Sequence, residues 1–371
     1  MNVGIEATKA HHKDGGFGRY PRKLIKNILQ LDESNQYIVF TSEIIEDFNE
    51  FDNCHQVLVP SSDGIGNLRL YYTFRKIIRK YKIDVLHLLS LYGIRKAEAI
   101  TVSTVFDLRY LVIPELNERK LGRVIYKYWF PHLLRQSHHL IAISEETNIC
   151  LTKKFNIPRE KITTIPLGHE IEFKTETNLK WNDLPGKYFL WVGQITKRKN
   201  LETLYNAYSL FVKNPSNYDV KLIIVGSFLN SEIEEGHKRI VNRLGINNMV
   251  MFTGYVPDNK LSFLYKRAMA FIFPSIYEGF GIPIIESMAL GVPVITTIDG
   301  GATKEVAGDA ALFFSRYNHD VLSTKMVEIV KNEKLRNQLI IKGRERAAIY
   351  TWEKTARQTL NLYRKLVGSK K

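Results

Sequence analysis

Short apolar runs alternate with longer amphipathic runs along most of the chain. Val3–Ala7, Tyr37–Thr41, Gln56–Val59, Val85–Leu89, Thr101–Val105 and Leu140–Ile143 predict the strands of a first half. Tyr188–Val192, Lys221–Val225, Val250–Thr253, Ala270–Pro274 and Val292–Thr296 predict a second set. Most are rich in Val, Ile and Leu, the pattern of strands buried on both faces of a parallel sheet. Helical spacing predicts helices over Pro21–Leu31, Arg69–Tyr81 and Val124–Gln136 in the first half. In the second half it predicts them over Leu201–Val212, Ser231–Leu244, Asp258–Arg267, Ile284–Leu290 and Val321–Asn332, with a last amphipathic helix over Thr351–Val367. This alternation argues for two α/β units, each with a parallel sheet. The polar stretch Glu170–Gly186 ends in Pro-Gly and predicts the linker. The expected domains are residues 1–172 and 173–350, with 351–371 as the terminal helix.

A length of 371 residues agrees with two domains. With 44% apolar and 25% charged residues, the chain is neither disordered nor a rod. Lys and Arg number 53 against 38 Asp and Glu, a net charge of +15 that favours acidic partners. The basic segment RLYYTFRKIIRKYK, residues 69–82, suits docking on an anionic membrane surface. It equally suits a domain helix with a solvated basic face. Cys54 and Cys150 offer no disulfide framework, which fits a reducing compartment. The first residues lack a signal-peptide pattern, and the richest apolar stretch, Ile282–Ile298, is broken by Glu286 and two prolines. The expectation is a cytoplasmic protein, peripheral on the inner face of the plasma membrane.

Three loops carry candidate chemistry. DGGFGRY, Asp14–Tyr20, follows the first strand and precedes a helix whose start Pro21 marks. Its glycines suit either a tight turn or a loop facing phosphate. Pro21 stands where GxGxxG needs its third glycine, so the dinucleotide fingerprint fails. WVGQITKRKNL, Trp191–Leu201, ends a strand at Gly193 and clusters Lys197, Arg198 and Lys199. Such a cluster at a strand end can chelate phosphate oxygens, or be a solvated basic loop. The third loop, IYEGFGIPIIESMALGVPVI, puts seven residues between Glu278 and Glu286, with Gly279 and Gly281 flanking Phe280. Paired carboxylates suit vicinal sugar hydroxyls, and backbone N–H groups at the helix start suit a phosphate. Service to the helix dipole would explain Glu286 alone, but not the pair with its glycines.

PSIYEGFGIPIIESMALGVPVI resembles the Glu-x7-Glu signature of the retaining glycosyltransferases of family 4, which have the GT-B fold. The resemblance spans essentially the whole chain and includes DGGFGRY, VGQITKRKN, GYVPDNKLSFLYKRAMAFIFPS and GGATKEVAGDAALFF. It implies two Rossmann-like domains facing across a cleft, the first on the acceptor side and the second binding the nucleotide sugar. The last helix would cross back to the first domain. Glu286 would hold the ribose hydroxyls, and Glu278 would face the donor sugar beside Gly279, Phe280 and Gly281. Arg198 and Lys199, in the loop that starts at Gly193, would neutralise the diphosphate, with Gly15 and Gly16 approaching from the other domain. The base would lie near Gly254, Tyr255 and Val256.

Two positions depart from the family pattern. Gln194 stands where many members carry Arg, and Phe106 replaces the His of a His-Asp pair. Asp107 remains as the acceptor-side polar group, while His11 and His12 offer alternatives. The resemblance implies a hexosyltransferase, with GDP-mannose as donor and a glycan or polyprenyl-linked glycan of the cell surface as acceptor. The expected catalytic groups are Asp107, Glu278, Arg198 and Lys199, acting without a metal or cofactor. A UDP- or dTDP-sugar donor is the alternative within the fold, and a fold-related epimerase is disfavoured by the complete signature. A dehydrogenase is disfavoured by the failed fingerprint. A protein binding nucleic acid or anionic membrane is suggested by charge, although no nucleic-acid motif is present.

Overall fold

The computed structural model describes residues 1–10, 16–59, 68–89, 98–113, 130–169 and 184–369. The chain divides into two compact units. One holds Met1–Gly168 with Thr351–Lys371, and the other holds His169–Tyr350. The division falls at Gly168, four residues before the expected boundary at 172. The reason is local: the His169 N–H donates to the Tyr350 carbonyl at 3.2 Å, which ties His169 to the second unit. The expected linker lies mostly outside the described residues, as do His11, His12 and Gly15.

In the first unit the strands are β1 (Asn2–Glu6), β2 (Gln36–Thr41), β3 (Cys54–Leu58), β4 (Val85–Leu88), β5 (Ile100–Val105), β6 (His139–Ala142) and β7 (Ile162–Thr164). They form one sheet in the order β3-β2-β1-β4-β5-β6-β7. Every pairing is parallel. β4 and β5 are buried at every residue, His87 of β4 included, as strands covered on both faces are.

The helix after β1 runs Gly16–Leu31, so it starts earlier than Pro21 predicted. Pro fixes a helical φ and forfeits only its own N–H, so it marks a helical residue without marking the first one. The last helix, Trp352–Gly368, belongs to this unit and packs on Gly16–Leu31. Thr351 caps it by accepting from the Lys354 N–H at 3.2 Å. Tyr363 then reaches the buried His87 of β4, with OH to Nδ1 at 2.6 Å, while His87 Nε2 meets Thr104 Oγ1 at 2.7 Å. Burial holds the His87 pKa down at about 3, so the imidazole is neutral.

In the second unit the strands are β8 (Lys187–Val192), β9 (Val220–Val225), β10 (Val250–Gly254), β11 (Ala270–Phe273), β12 (Val294–Thr297) and β13 (Ala311–Phe314). Their order is β10-β9-β8-β11-β12-β13, again all parallel. Counted from the first strand of each unit, the order is 3-2-1-4-5-6, with a seventh strand added beside the sixth in the first unit, which is the doubly wound arrangement. One core gathers Phe189, Trp191, Leu204, Tyr208, Leu322 and Met326 under the helices Leu201–Phe211 and His319–Lys331. Each such side chain stabilises by about 1.5–3 kcal/mol when fully buried. Among the described residues, no helix is long and apolar enough to cross a membrane.

Candidate active site

In the second unit β8 and β11 are neighbours, and strand order reverses between them. Ligands of open α/β sheets bind beyond the C-terminal ends of such a pair, where the two following loops part. Here the two loops are stitched together. The chain leaves β8, passes Gly193, and makes a tight turn over Lys197–Lys199. Asn200 follows in the left-handed conformation, φ 54°, and opens the helix Leu201–Phe211. The loop after β11 crosses this turn. The Ile276 N–H donates to the Arg198 carbonyl at 2.9 Å. Arg198 Nη1 donates to the Tyr277 carbonyl at 3.0 Å, and Asn200 Nδ2 to the Pro274 carbonyl at 3.1 Å.

This stitching brings three predicted residues into contact. Glu278 Oε1 pairs with Arg198 Nη1, and with Lys199 Nζ at 2.7 Å. Glu278 is 8% exposed and Lys199 equally buried. Lys199 Nζ also lies 4.6 Å from the Phe273 ring centroid, a cation–π distance. Burial alone would push the Glu278 pKa up. The charges of Lys199 and Arg198, and their hydrogen bonds, overcome that and hold it at about 2. Glu278 is therefore an ionised acceptor and not a proton donor at neutral pH.

Backbone pairing holds Glu278 from the other side. Its N–H donates to the Gly300 carbonyl at 2.9 Å, and its carbonyl accepts from the Ala302 N–H at 3.0 Å. Gly301 bridges to it with φ 73°, and a Cβ there would stand 2.5 Å from the Glu278 carbonyl oxygen. Only glycine combines that conformation with that approach.

The other predicted residues are distributed over both units. Gly279, Phe280 and Gly281 are buried, with the Phe280 ring edge-on to Tyr350 at 5.5 Å. The helix Ile282–Ala289 starts directly after Gly281 and has no acidic residue in its first turn. Glu286, its fifth residue, is buried beyond that turn, so service to the dipole does not account for it. Gly254 ends β10 and accepts the Gly226 N–H at 2.9 Å, while Tyr255 beyond it is 58% exposed and Val256 is buried. Gly16 and the half-buried Asp107, just past β5, belong to the first unit. Among the described residues, no group of three or more His, Cys, Asp and Glu is placed to hold a metal ion.

Sequence reasoning gave no role to Asn200, Gly226, Gly300 or Gly301. The Asn200 amide locks the turn by donating to the Pro274 and Arg316 carbonyls. Gly226 directly follows β9 with φ 145°, and a Cβ there would fall 1.8 Å from the Gly193 carbonyl oxygen. Gly300 and Gly301 follow β12 as a Gly-Gly pair, a signal of close backbone approach that could have flagged them.

Two family models match this chain. The one described as "Glycosyltransferase Family 4" matches residues 15–173, and "Glycosyl transferases group 1" matches residues 175–346. The chain belongs to the family 4 glycosyltransferases. Its two Rossmann-like units make up the GT-B fold. A curated relative, O-antigen chain mannosyltransferase B of Escherichia coli, is 26% identical over 95% of this chain and 96% of its own length. Among solved structures, sucrose-phosphate synthase from Thermosynechococcus elongatus matches with a TM-score of 0.79 at 22% identity, covering 99% of both chains. The Anabaena protein HepE, solved with UDP-glucose, matches with a TM-score of 0.74 at 15% identity over the full length of both.

Proposed function

We propose that this glycosyltransferase moves a hexose from a nucleotide sugar to a hydroxyl of a glycan or polyprenyl-linked glycan in surface-polysaccharide synthesis. The donor is GDP-mannose, the configuration at the anomeric carbon is retained, and no metal takes part. The observation that carries this reading is the Arg198–Lys199–Glu278 cluster at the point where strand order reverses. The mannosyl and O-antigen name of the Escherichia coli relative supports the sugar and the acceptor class.

The chemistry follows from charge. Breaking the bond between sugar and phosphate puts positive charge on the sugar and negative charge on the departing diphosphate. Arg198 and Lys199 are preorganised to take up the negative charge, so little reorganisation is needed during the reaction. Glu278, ionised and facing both cations, accepts hydroxyls of the donor sugar. Glu286 holds the ribose, and Gly254, Tyr255 and Val256 border the base. Attack is front-face, with a donor phosphate oxygen helping to remove the acceptor proton and Asp107 orienting the acceptor. A nucleophilic role for Glu278 fits less well, because a carboxylate held by two cations is a weak nucleophile. The protein works in the cytoplasm, peripheral on the inner face of the plasma membrane, where its basic charge meets anionic lipid.

A UDP-sugar donor is the second reading, favoured by the structural likeness to HepE in its complex with UDP-glucose. Calorimetry with GDP-, UDP-, ADP- and dTDP-sugars, in metal-free buffer, separates the two. The expected result is binding to the GDP-sugar, weakened in Glu286→Ala. Binding to UDP-sugars alone would move the donor to the second reading, and binding to none would overturn both.

A further inference from the structure

Beyond β12 and β13, on the second unit, Asp299, Arg316, Tyr317, Asn318, His319 and Asp320 line an open hollow of about 420 Å³. Small-ligand sites occupy roughly 300–1,000 Å³. No step of the proposed transfer uses this hollow. Its walls are rigid. Arg316 donates through its backbone N–H and Nε to the Asp299 carboxylate at 3.0 and 3.1 Å, and through its guanidinium to the Asp299 carbonyl. The Arg316 carbonyl is in turn held by Asn200. The turn that follows is closed by Asn318 N–H to the Ser315 carbonyl at 2.8 Å. Asn318 Oδ1 then caps the helix His319–Lys331 by accepting the Val321 N–H at 3.0 Å.

On this fixed turn Tyr317 is 63% exposed, and the Asp320 carboxylate beside it is 79% exposed. Charge decides what such a hollow can take. Two carboxylates against one guanidinium leave it at −1, in a chain whose total is +15. The guanidinium is already committed to Asp299. With His319 neutral, an anionic ligand would meet net repulsion here. A neutral polyol meets the opposite: carboxylates that accept hydroxyls in pairs, and an aromatic ring for the C–H face of a pyranose.

We propose that this hollow is an accessory glycan site, binding one neutral sugar unit of the acceptor or product chain apart from the donor site. The inference rests on the glycosyltransferase reading. Tyr317 supplies the stacking face, and Asp320 and Asp299 accept hydroxyls. A rigid turn keeps the ordering cost low.

Ligand-observed NMR with an α-linked mannotriose on the full chain tests it, with GDP-mannose and UDP-glucose as separate samples. The expected result is saturation transfer to the mannotriose with wild type. It should fall at least ~5-fold in Tyr317→Ala and in Asp320→Ala, and persist in Tyr317→Phe and Glu286→Ala. Both positions are exposed, so melting temperatures should not move. Signals absent from wild type while a nucleotide sugar binds would overturn the accessory site and leave the transferase reading standing. Signals that survive Tyr317→Ala but vanish in Glu286→Ala would place the sugar in the donor site and also overturn it. Binding of neither sugar nor nucleotide sugar would overturn both.

Discussion

Both sheets reverse their strand order beside their first strand, and both bury a glutamate there, but the two carboxylates are held differently. In the first unit Glu6 ends β1 and accepts from the Thr8 N–H at 3.1 Å, the Thr8 hydroxyl at 2.5 Å and the Leu89 N–H at 3.2 Å. These donors tie the loop after β1 to the end of β4. In the second unit Glu278 is held by two cationic side chains. Two of these donors are backbone N–H groups fixed by the sheet and its loop, which are not free to turn toward a ligand. Flexible cationic side chains are free to do so, and a diphosphate competes for the same N–H groups. Beside the same reversal of strand order, the glutamate that ends the first strand is a structural tie in one unit, and the glutamate after the fourth strand pairs with two cations in the other.

The largest effect should come from Glu278→Gln. It removes the counter-charge of two largely buried cations, and removing one partner of a buried pair is destabilising by about 3–5 kcal/mol. Urea unfolding measures this. GDP binding should survive in the variant, because the diphosphate then takes the place of the lost carboxylate, while the preference for GDP-mannose over GDP is lost. Next comes Lys199→Ala, expected to lower kcat roughly 10²–10³-fold, as the loss of one preorganised charge-stabilising donor does. Steady-state transfer assays would read this as a fall in kcat larger than any rise in KM.

A smaller effect is expected from Glu6→Gln, which keeps the shape and weakens the tie by about 1–3 kcal/mol. The nucleotide preference of this variant should match wild type. A change in that preference as large as in Glu278→Gln would break the comparison between the two glutamates.

The effects of pH separate the units by window. Glu278 has a native pKa of about 2, below its ordinary 4.5. Its contribution is complete above pH 4.5 and is lost as pH falls toward 2. The stability gap between wild type and Glu278→Gln should narrow over that range. His87 also has a depressed native pKa, about 3 against 6.5, set by burial. The unfolded chain gains a proton there that the native state does not, so stability falls as pH drops from 6.5 toward 3. Denaturant titrations of His87→Gln should lack this slope in the upper part of the window, where wild type shows it.

Much of the architecture was legible because parallel strands buried on both faces leave unbroken apolar runs. The run Tyr188–Val192 falls within β8, and Ala270–Phe273 is β11. Shorter or more polar elements were not. β7 has three residues, Ile162–Thr164, and its pairing with β6 makes it a strand where its own pattern does not. β13, Ala311–Phe314, sits in a Gly- and Ala-rich stretch that hides it. The helix Glu145–Phe155 is set by its Ser144 cap, and Glu333–Ala347 by its Asn332 cap, rather than by an apolar stripe. At the site, Glu278, Arg198 and Lys199 were readable from motif and charge. Asn200 and Gly226 were not, because their roles depend on where a neighbouring backbone passes.

The central claim is that Arg198 and Lys199 are the diphosphate site and that Glu278 occupies them in its absence. Calorimetry of GDP and GDP-mannose into wild type and Lys199→Ala, in metal-free buffer at low salt, tests it most directly. The account predicts that both ligands weaken at least ~10-fold, about 1.4 kcal/mol. Equal GDP affinity in the two proteins would contradict it.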